Sequence, residues 1–309
     1  NRTITLNGTL TRGIDQEGQG GSVTGNAAYT RTDTRSLSGL DPVLFDPLER
    51  RSSSDSLSGA LSANLRSNGW DINNTLDVNR TWSTSEIDRR ADGADLQAAA
   101  LAGSLALDGA LPPVVDPGFD TSRSNTWTID GKSTVRGALA DLPAGELSTT
   151  FDVGARWNQI DSTDTRSAED ITLSRTRLSA GTSLTVPVAE RDGAWGAIGD
   201  VNLNLRAEAE DVSDFGLLGN YSVGAVWGPT DNLTLSATRI YSEAAPSLTQ
   251  LGGAVTQTFN VPVYDFNLGD TVLVTTIDGG NPNLLAEEQN DWKFSANYDL
   301  PFWDDARLV

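Results

Sequence analysis

The chain contains no cysteine, no histidine and no methionine. Without cysteine, neither a disulfide framework nor a thiolate metal site can be built. Without histidine, the commonest metal ligand and the usual general base near neutral pH are both missing. Long hydrophobic runs are lacking too. Only 38% of the 309 residues are hydrophobic, and the mean hydropathy is −0.30. The longest helix-like stretch, Ala94 to Leu111, is broken by Asp, Gln, Gly and Ser, whereas a membrane-spanning helix needs about 18 apolar residues. A helical membrane protein is excluded. A β-barrel is not, because its signal is alternation within short segments, which leaves the average hydropathy low. Positive charge is scarce: 42 acidic against 22 basic residues give a net charge of −20, against the basic face that a nucleic-acid binder requires. The chain starts at Asn1, with no initiator Met and no signal-peptide pattern. The expectation is an internal piece of a longer protein.

What is present is alternation. Leu147, Thr149, Phe151, Val153, Ala155 and Trp157 share one parity, while Ser148, Thr150, Asp152, Gly154, Arg156 and Asn158 share the other. Val201, Leu203, Leu205 and Ala207 alternate with Asn202, Asn204, Arg206 and Glu208, and Trp292, Phe294, Ala296 and Tyr298 with Lys293, Ser295 and Asn297. Successive side chains of a strand point to opposite faces, so each segment has one apolar and one wet side. Weaker versions begin at Ile4, Val23, Leu57, Trp70, Trp127, Leu178 and Tyr221. Such strands fit a soluble sandwich as well as a barrel.

The joints between strands separate the two. Turn-rich short joints are expected at Gly13–Gly21, Arg66–Gly69, Pro143–Gly145, Glu190–Asp200, Pro229–Asn232 and around Pro301–Asp305. Between them fall others at about 34–53, 88–123, 161–172, 212–217 and 244–287, most of them longer. Alternation of brief turns with long loops is the habit of outer-membrane barrels, and loops of this length are uncommon in compact soluble domains. The expected fold is therefore all-β, an antiparallel transmembrane β-barrel. About twelve strands are present, with another starting at Ala306, and residues 1–309 form part of one barrel domain. The loops at about 34–53, 88–123 and 244–287 are expected to be extracellular.

Aromatics near strand ends, among them Trp70, Trp82, Trp127, Trp157, Trp227, Trp292, Tyr29, Tyr221 and Tyr298, fit girdles at the two headgroup levels. Anchoring of hairpins in a soluble core is the competing explanation. Arg12, Arg31, Arg66, Arg80, Arg136, Arg156 and Arg206 lie within or at the ends of strands. Most are expected to face the lumen beside acids, since Arg at the lipid midplane costs about 2–4 kcal/mol. Acids cluster in the loops, among them Asp41, Glu49, Asp116, Asp120, Asp265 and Asp270. They fit a solvated surface, and alternatively a cation-attracting mouth or carboxylates bridged through divalent ions to lipopolysaccharide.

No catalytic, cofactor-binding or metal site emerges. Asp161-Ser162-Thr163-Asp164 and Asp116-Pro117-Gly118-Phe119-Asp120 do not match a full calcium loop. Gly18-Gln19-Gly20-Gly21 lacks the helix and Lys of a phosphate loop. Two loop features are better candidates. Ala94 to Leu107 is Ala/Leu-rich and suits a short helix whose apolar side caps the barrel or touches ligand, with packing on its own hairpin alone as the alternative. Val261 to Asp265–Phe266 and Thr271 to Ile277 suit a hairpin above the membrane. Its Phe259, Tyr264, Asp265 and Phe266 are the candidate ligand-contacting residues, since aromatics anchor many binding sites, with ordinary hairpin packing as the alternative.

Two phrases point to a family. Ala244-Ala245-Pro246-Ser247-Leu248-Thr249-Gln250-Leu251 and Gly280-Asn281-Pro282-Asn283-Leu284, the latter leading to Ala286-Glu287, resemble paired phrases in the barrel of TonB-dependent outer-membrane receptors. The likeness extends from about Thr185 to Leu300, with the earlier half alike in architecture and the style similar to alphaproteobacterial receptors. Where related receptors usually have Pro-Glu, this chain has Ala286-Glu287. The resemblance implies a Gram-negative outer-membrane location and about 22 strands in all, with a plug domain not contained in this sequence. It also implies energy-coupled uptake of a metal chelate, glycan or cobalamin-like ligand, driven by TonB–ExbB–ExbD through the plug. Membrane lipid, lipopolysaccharide and an extracellular ligand are the other implied partners. A passive porin, or a secreted adhesin or surface-layer protein, remains open as an alternative.

Overall fold

In the computed structural model, the described residues are 1–16, 19–105, 112, 114–167, 170–193, 195–300 and 307–308. The strands are β1 (Arg2–Gln16), β2 (Gln19–Leu40), β3 (Pro47–Ser67), β4 (Trp70–Asp88), β5 (Phe119–Leu142), β6 (Gly145–Asp164), β7 (Ile171–Ala189), β8 (Asp200–Val212), β9 (Gly216–Thr230), β10 (Leu233–Ala244), β11 (Thr256–Asp265), β12 (Asp270–Asp278), β13 (Glu287–Asp299) and β14 (Arg307–Leu308). Helices α1 (Ala94–Leu101) and α2 (Leu248–Gly252) lie in the two longest joints.

Twelve strands form one sheet in the order β1 to β10, then β13 and β14; β11 and β12 make a separate hairpin. Every pairing is antiparallel between neighbours in chain order, with β10 passing over the hairpin to β13. No pairing joins β1 to β13 or β14 among the described residues, so the sheet is open. The tight joints follow from local chemistry. At Asn68-Gly69 both residues have positive φ, 51° and 80°. The two-residue turn this makes twists with the strands it joins, and glycine adopts it without a Cβ penalty.

Register puts the apolar residues on one face. Leu10, Gly25, Leu61, Leu76 and Gly131 lie in one cross-strand row; Val153, Ala180 and Ala209 lie in another of the same face. These side chains are not covered: Leu10 is 78%, Leu61 50%, Val153 56% and Phe294 74% exposed. The aromatics fall on the same face. Trp70 and Trp82 stand about 40 Å apart along β4 at ~3.3 Å per residue, and a tilt of ~45° turns this into about 28 Å, close to a hydrocarbon core. Tyr221 stacks on Tyr241 at 5.2 Å and Trp292 on Phe294 at 5.8 Å.

Three expectations change. The joint expected over 34–53 narrows to residues 41–46, because β2 and β3 keep pairing through Thr34↔Ser52, Arg35↔Arg51 and Leu37↔Glu49. Polar residues occupy both faces there, so alternation is silent although the ladder continues. Joint lengths do not alternate strictly either: residues 213–215 form a short turn between β8 and β9, while 190–199 holds a 3₁₀ turn. The arginines also divide. Arg66, Arg136, Arg156 and Arg206 occupy the polar face, but Arg12, Arg31 and Arg80 share the apolar one. Arg80 lies between Trp82 and Trp127, 5.2 and 4.8 Å from their ring centres, where cation–π contact and a bond to Asn125 at 3.1 Å hold it near the end of the apolar band.

Glu49 binds Arg35 and Arg51 together, at 2.6 Å to each. Bonds from Arg51 and then Arg35 hold its carboxyl down at about 2. A folded value below the unfolded 4.5 means that this contribution is full above the unfolded value and fades as pH falls through the folded one. The protection of amides around Leu37 and Glu49 relative to their intrinsic exchange rates is therefore expected to be full at pH 5 and to fall between about 4.5 and 2. Glu49→Gln is expected to show the low protection at pH 5 already, and no difference between the two proteins would refute the clamp.

Candidate functional site: the rim and the inner face

The main buried apolar cluster lies at the rim rather than in the sheet. Ser247 caps α2: its hydroxyl accepts from the Gln250 amide at 3.2 Å, and the Gln250 side chain accepts from the Ser247 amide at 2.8 Å. This reciprocal box defines the helix start. Leu248 and Leu251 of α2 then pack on Ile160, with Leu173 and Phe215 beside them. Ile160 and Leu173 occupy the polar face of β6 and β7, the face opposite Phe151, Val153 and Leu178. The joint thus folds over the polar side of the sheet.

Two arginines hold this fold-over. Arg175 of β7 is fully buried, binds Asp214 through both oxygens at 2.7 Å, and donates to the Pro246 carbonyl. Its guanidinium also lies 5.0 Å from the Phe215 ring. Arg166 pairs with Asp164 at 2.7 Å and donates to the Val255 carbonyl beyond the helix. The second phrase then closes on the first. Asn281 donates to Gln250 O at 2.7 Å and Gly280 to Gly253 O at 3.0 Å. A Cβ on Gly280 would come within 2.6 Å of two backbone nitrogens of α2 and its end; only glycine allows that approach. Both sequence phrases are therefore the parts of one rim lock.

A second lock centres on Asp41, 2% exposed. It accepts from the Val43, Leu44 and Ala91 amides at 2.8 Å, joining the β2–β3 turn to the β4–β5 joint. Burial alone would raise its carboxyl, but the amide bonds together with Arg90 outweigh this and hold it below the ordinary value. Arg90 continues the chain of contacts, donating to Asn260 at 2.6 Å and lying 4.5 Å from the Phe259 ring, while Asn260 donates to Ser38 O.

The candidate ligand residues separate. Phe259 is engaged by Arg90 at the hairpin base. Asp265 closes the hairpin turn, accepting from Asn267 and Leu268. Tyr264 and Phe266 meet edge to face at 5.2 Å at the tip, with Phe266 90% exposed. The expected helix is found as α1, which buries none of its residues; the rest of the expected segment, Ala106 and Leu107, lies outside the described residues. The calcium-like stretches are spent on arginine, Asp164 on Arg166 and Asp120 on Arg89.

Below the rim the polar face carries a lattice of charge. Asp130, Arg156 and Arg177 lie in one cross-strand row, and Lys132, Gly154, Ser179 and Glu210 in the next. Asp130 pairs with Arg156, Arg177 with Glu210 at 3.4 Å, and Arg206 with Glu208 at 2.6 Å and Asp152 at 3.8 Å. Sequence reasoning included Arg156 and Arg206 but missed Arg175 and Arg177. A readable sign existed for Arg175: Ile160 and Leu173 are apolar residues on the wet parity, and such residues need a cover.

A consecutive antiparallel meander, apolar and exposed on one face and charged on the other, is the wall of a membrane-type β-barrel. Residues 2–308 match the family described as TonB dependent receptor-like, beta-barrel, and the chain belongs to that family. It is a family of receptors and transporters found in the Gram-negative outer membrane, not of enzymes. The resemblance read from the two rim phrases is thus correct. Among solved structures, the siderophore receptor PirA from Pseudomonas aeruginosa is 14% identical over 97% of this chain and 50% of its own, with a TM-score of 0.45. The copper transporter OprC is 13% identical over 96% of this chain and 51% of its own, at 0.42. PirA from Acinetobacter baumannii is 12% identical over 97% and 51%, at 0.39. This chain spans about half the length of each. No curated protein sequence matches it.

Proposed function

We propose that this chain forms wall, inner face and outer rim of a TonB-dependent importer in a Gram-negative outer membrane. The observation that carries the reading is the two-faced sheet: Leu10, Leu61 and Phe294 exposed on one face, Asp130–Arg156 and Arg206–Glu208 on the other. An uncovered apolar face of this extent suits lipid, and paired charge suits a wet interior. The tight joints such as Asn68-Gly69 lie at the periplasmic end, and the 41–46, 89–118 and 245–286 joints face outward. Ligand meets the rim, with Tyr264 and Phe266 as its first aromatic contacts. Movement inward is driven by TonB–ExbB–ExbD acting through a plug.

The ligand class is a scarce nutrient: a metal chelate, a glycan or a cobalamin-like compound. The test is growth on each as the sole limiting source, in cells with and without the receptor gene and with and without TonB. Uptake of one class that needs both is the expected result, lowered by Tyr264→Ala with Phe266→Ala. Uptake that proceeds equally without TonB would contradict it.

A further inference from the structure

The hairpin of β11 and β12 pairs only with itself: β12 has β11 on one side and, among the described residues, no strand on the other. Its two outer edges differ. Pro262, opposite Leu273, has no amide to give the ladder, so its nitrogen side faces away from β12. Antiparallel pairs alternate between bonded and non-bonded. The ladder bonds therefore fall at Val263↔Val272 and Val261↔Val274, and Thr271, Leu273, Thr275 and Ile277 turn their backbone groups to the free side of β12. The Thr271 amide bears out this phase: with no ladder carbonyl to meet, it donates to the Asp270 side chain at 2.7 Å.

Exposed strand edges are normally blunted by proline, by charge or by a cover. On β11 they are: Pro262 removes a donor, and Asn260 is tied to the Ser38 carbonyl and to Arg90. On β12 they are not. Thr271 to Ile277 contains neither proline nor charge, and Leu273 and Ile277 are each 66% exposed. Such an edge is a template for strand addition, in which main-chain bonds supply affinity and alternate side chains supply specificity.

Charge selects the occupant. Asp270 and Asp278 bracket the uncharged run, and no Lys or Arg occurs from Ile240 to Trp292. In a second copy of β12 laid antiparallel and centred on the same run, Asp270 would stand opposite Asp278, and like charges directly opposed are unfavourable. A strand with a basic residue at each end meets an acid at each end instead.

We propose that the free edge of β12 captures an extended cationic peptide, which adds to the hairpin as a third strand. Its backbone bonds to Leu273, Thr275 and Ile277, its apolar centre lies beside the Leu273 and Ile277 side chains, and its basic ends meet Asp270 and Asp278. This ligand goes beyond the classes named above, and its access rests on the outward placement of the 245–286 joint.

The experiment uses a fluorescent peptide of alternating Thr and Val with Lys at both ends. Its binding is followed by anisotropy with the detergent-purified full-length receptor, and by retention on intact cells that carry the receptor. Binding to both is expected, and the same peptide N-methylated at every second amide should not bind. Asp270→Asn with Asp278→Asn is expected to weaken binding about fourfold at low salt, about twofold per exposed ion pair; the first of these keeps an oxygen for the Thr271 amide. Leu273→Pro, which removes a donor from the free edge alone, is expected to weaken binding about tenfold, while the Val272 and Val274 amides keep their exchange protection. Equal binding of the N-methylated peptide, or of one with Glu at both ends, would overturn the proposal while leaving the importer reading standing. A receptor dimer that Leu273→Pro dissolves would make a second copy the occupant and overturn the peptide. Binding to the purified receptor but not to cells would overturn the outward placement, and the proposal with it.

Discussion

Replacing Arg175 by alanine is expected to open the rim. The side chain is fully buried, bonded twice to Asp214 and once to the Pro246 carbonyl. Removing one partner of a buried pair costs about 3–5 kcal/mol. Asp214, with 35% of its side chain exposed, regains some hydration, so about 3 kcal/mol is the expected loss. That multiplies the opening constant of the 245–286 segment about 100-fold. Limited proteolysis and amide exchange should report it in α2 and at Gly280, with little change in β1 to β5. Arg175→Lys keeps the charge but cannot form the fork, and should fall between. If α2 protection is unchanged in the alanine variant, the packing of Leu248 and Leu251 on Ile160 holds the rim without the arginine.

A pair of arginine substitutions in β3 should differ by the largest amount that the two faces allow. Leu61 sits mid-band on the apolar face beside Gly25 and Leu76; Ser62, next in sequence, sits on the polar face beside Thr24 and Thr75. Leu61→Arg is expected to lower stability in vesicles by about 2–4 kcal/mol, the cost of a guanidinium at the lipid midplane. Ser62→Arg meets hydroxyls and water and should stay within about 0.5 kcal/mol of the parent. Urea titration of the folded protein in vesicles gives both values. Equal effects would mean that the faces are not lipid and lumen.

The architecture was legible because it rests on period two. Strands from Ile4 to Tyr298 announce themselves wherever one side of the sheet is apolar. Legibility fails where that contrast vanishes. Thr34 to Ser36 and Arg50 to Ser53 extend β2 and β3, yet both faces there are polar and only the ion pairs of Glu49 betray the ladder. The rim phrases were recognisable, but their task was not. Arg175 and Pro246 are far apart in sequence, and nothing local in Ser174-Arg175-Thr176 tells of the carbonyl it holds. Of the hairpin residues, Asp265 accepts from the Asn267 and Leu268 amides in the turn, a pairing that the spacing of the aromatics beside it does not announce. The Phe259 ring lies against Arg90, a partner far away in sequence.

The absence of cysteine makes one measurement especially clean. Single cysteines introduced one at a time from Ile72 to Asn79 of β4 carry a spin label in vesicles, and each is quenched by oxygen from the lipid or by a nickel chelate from the water. Alternation is the predicted result, with positions 72, 74, 76 and 78 favouring oxygen and 73, 75, 77 and 79 the chelate. Access of the chelate to every position, or no alternation at all, would contradict the claim that this sheet is the wall of a membrane barrel.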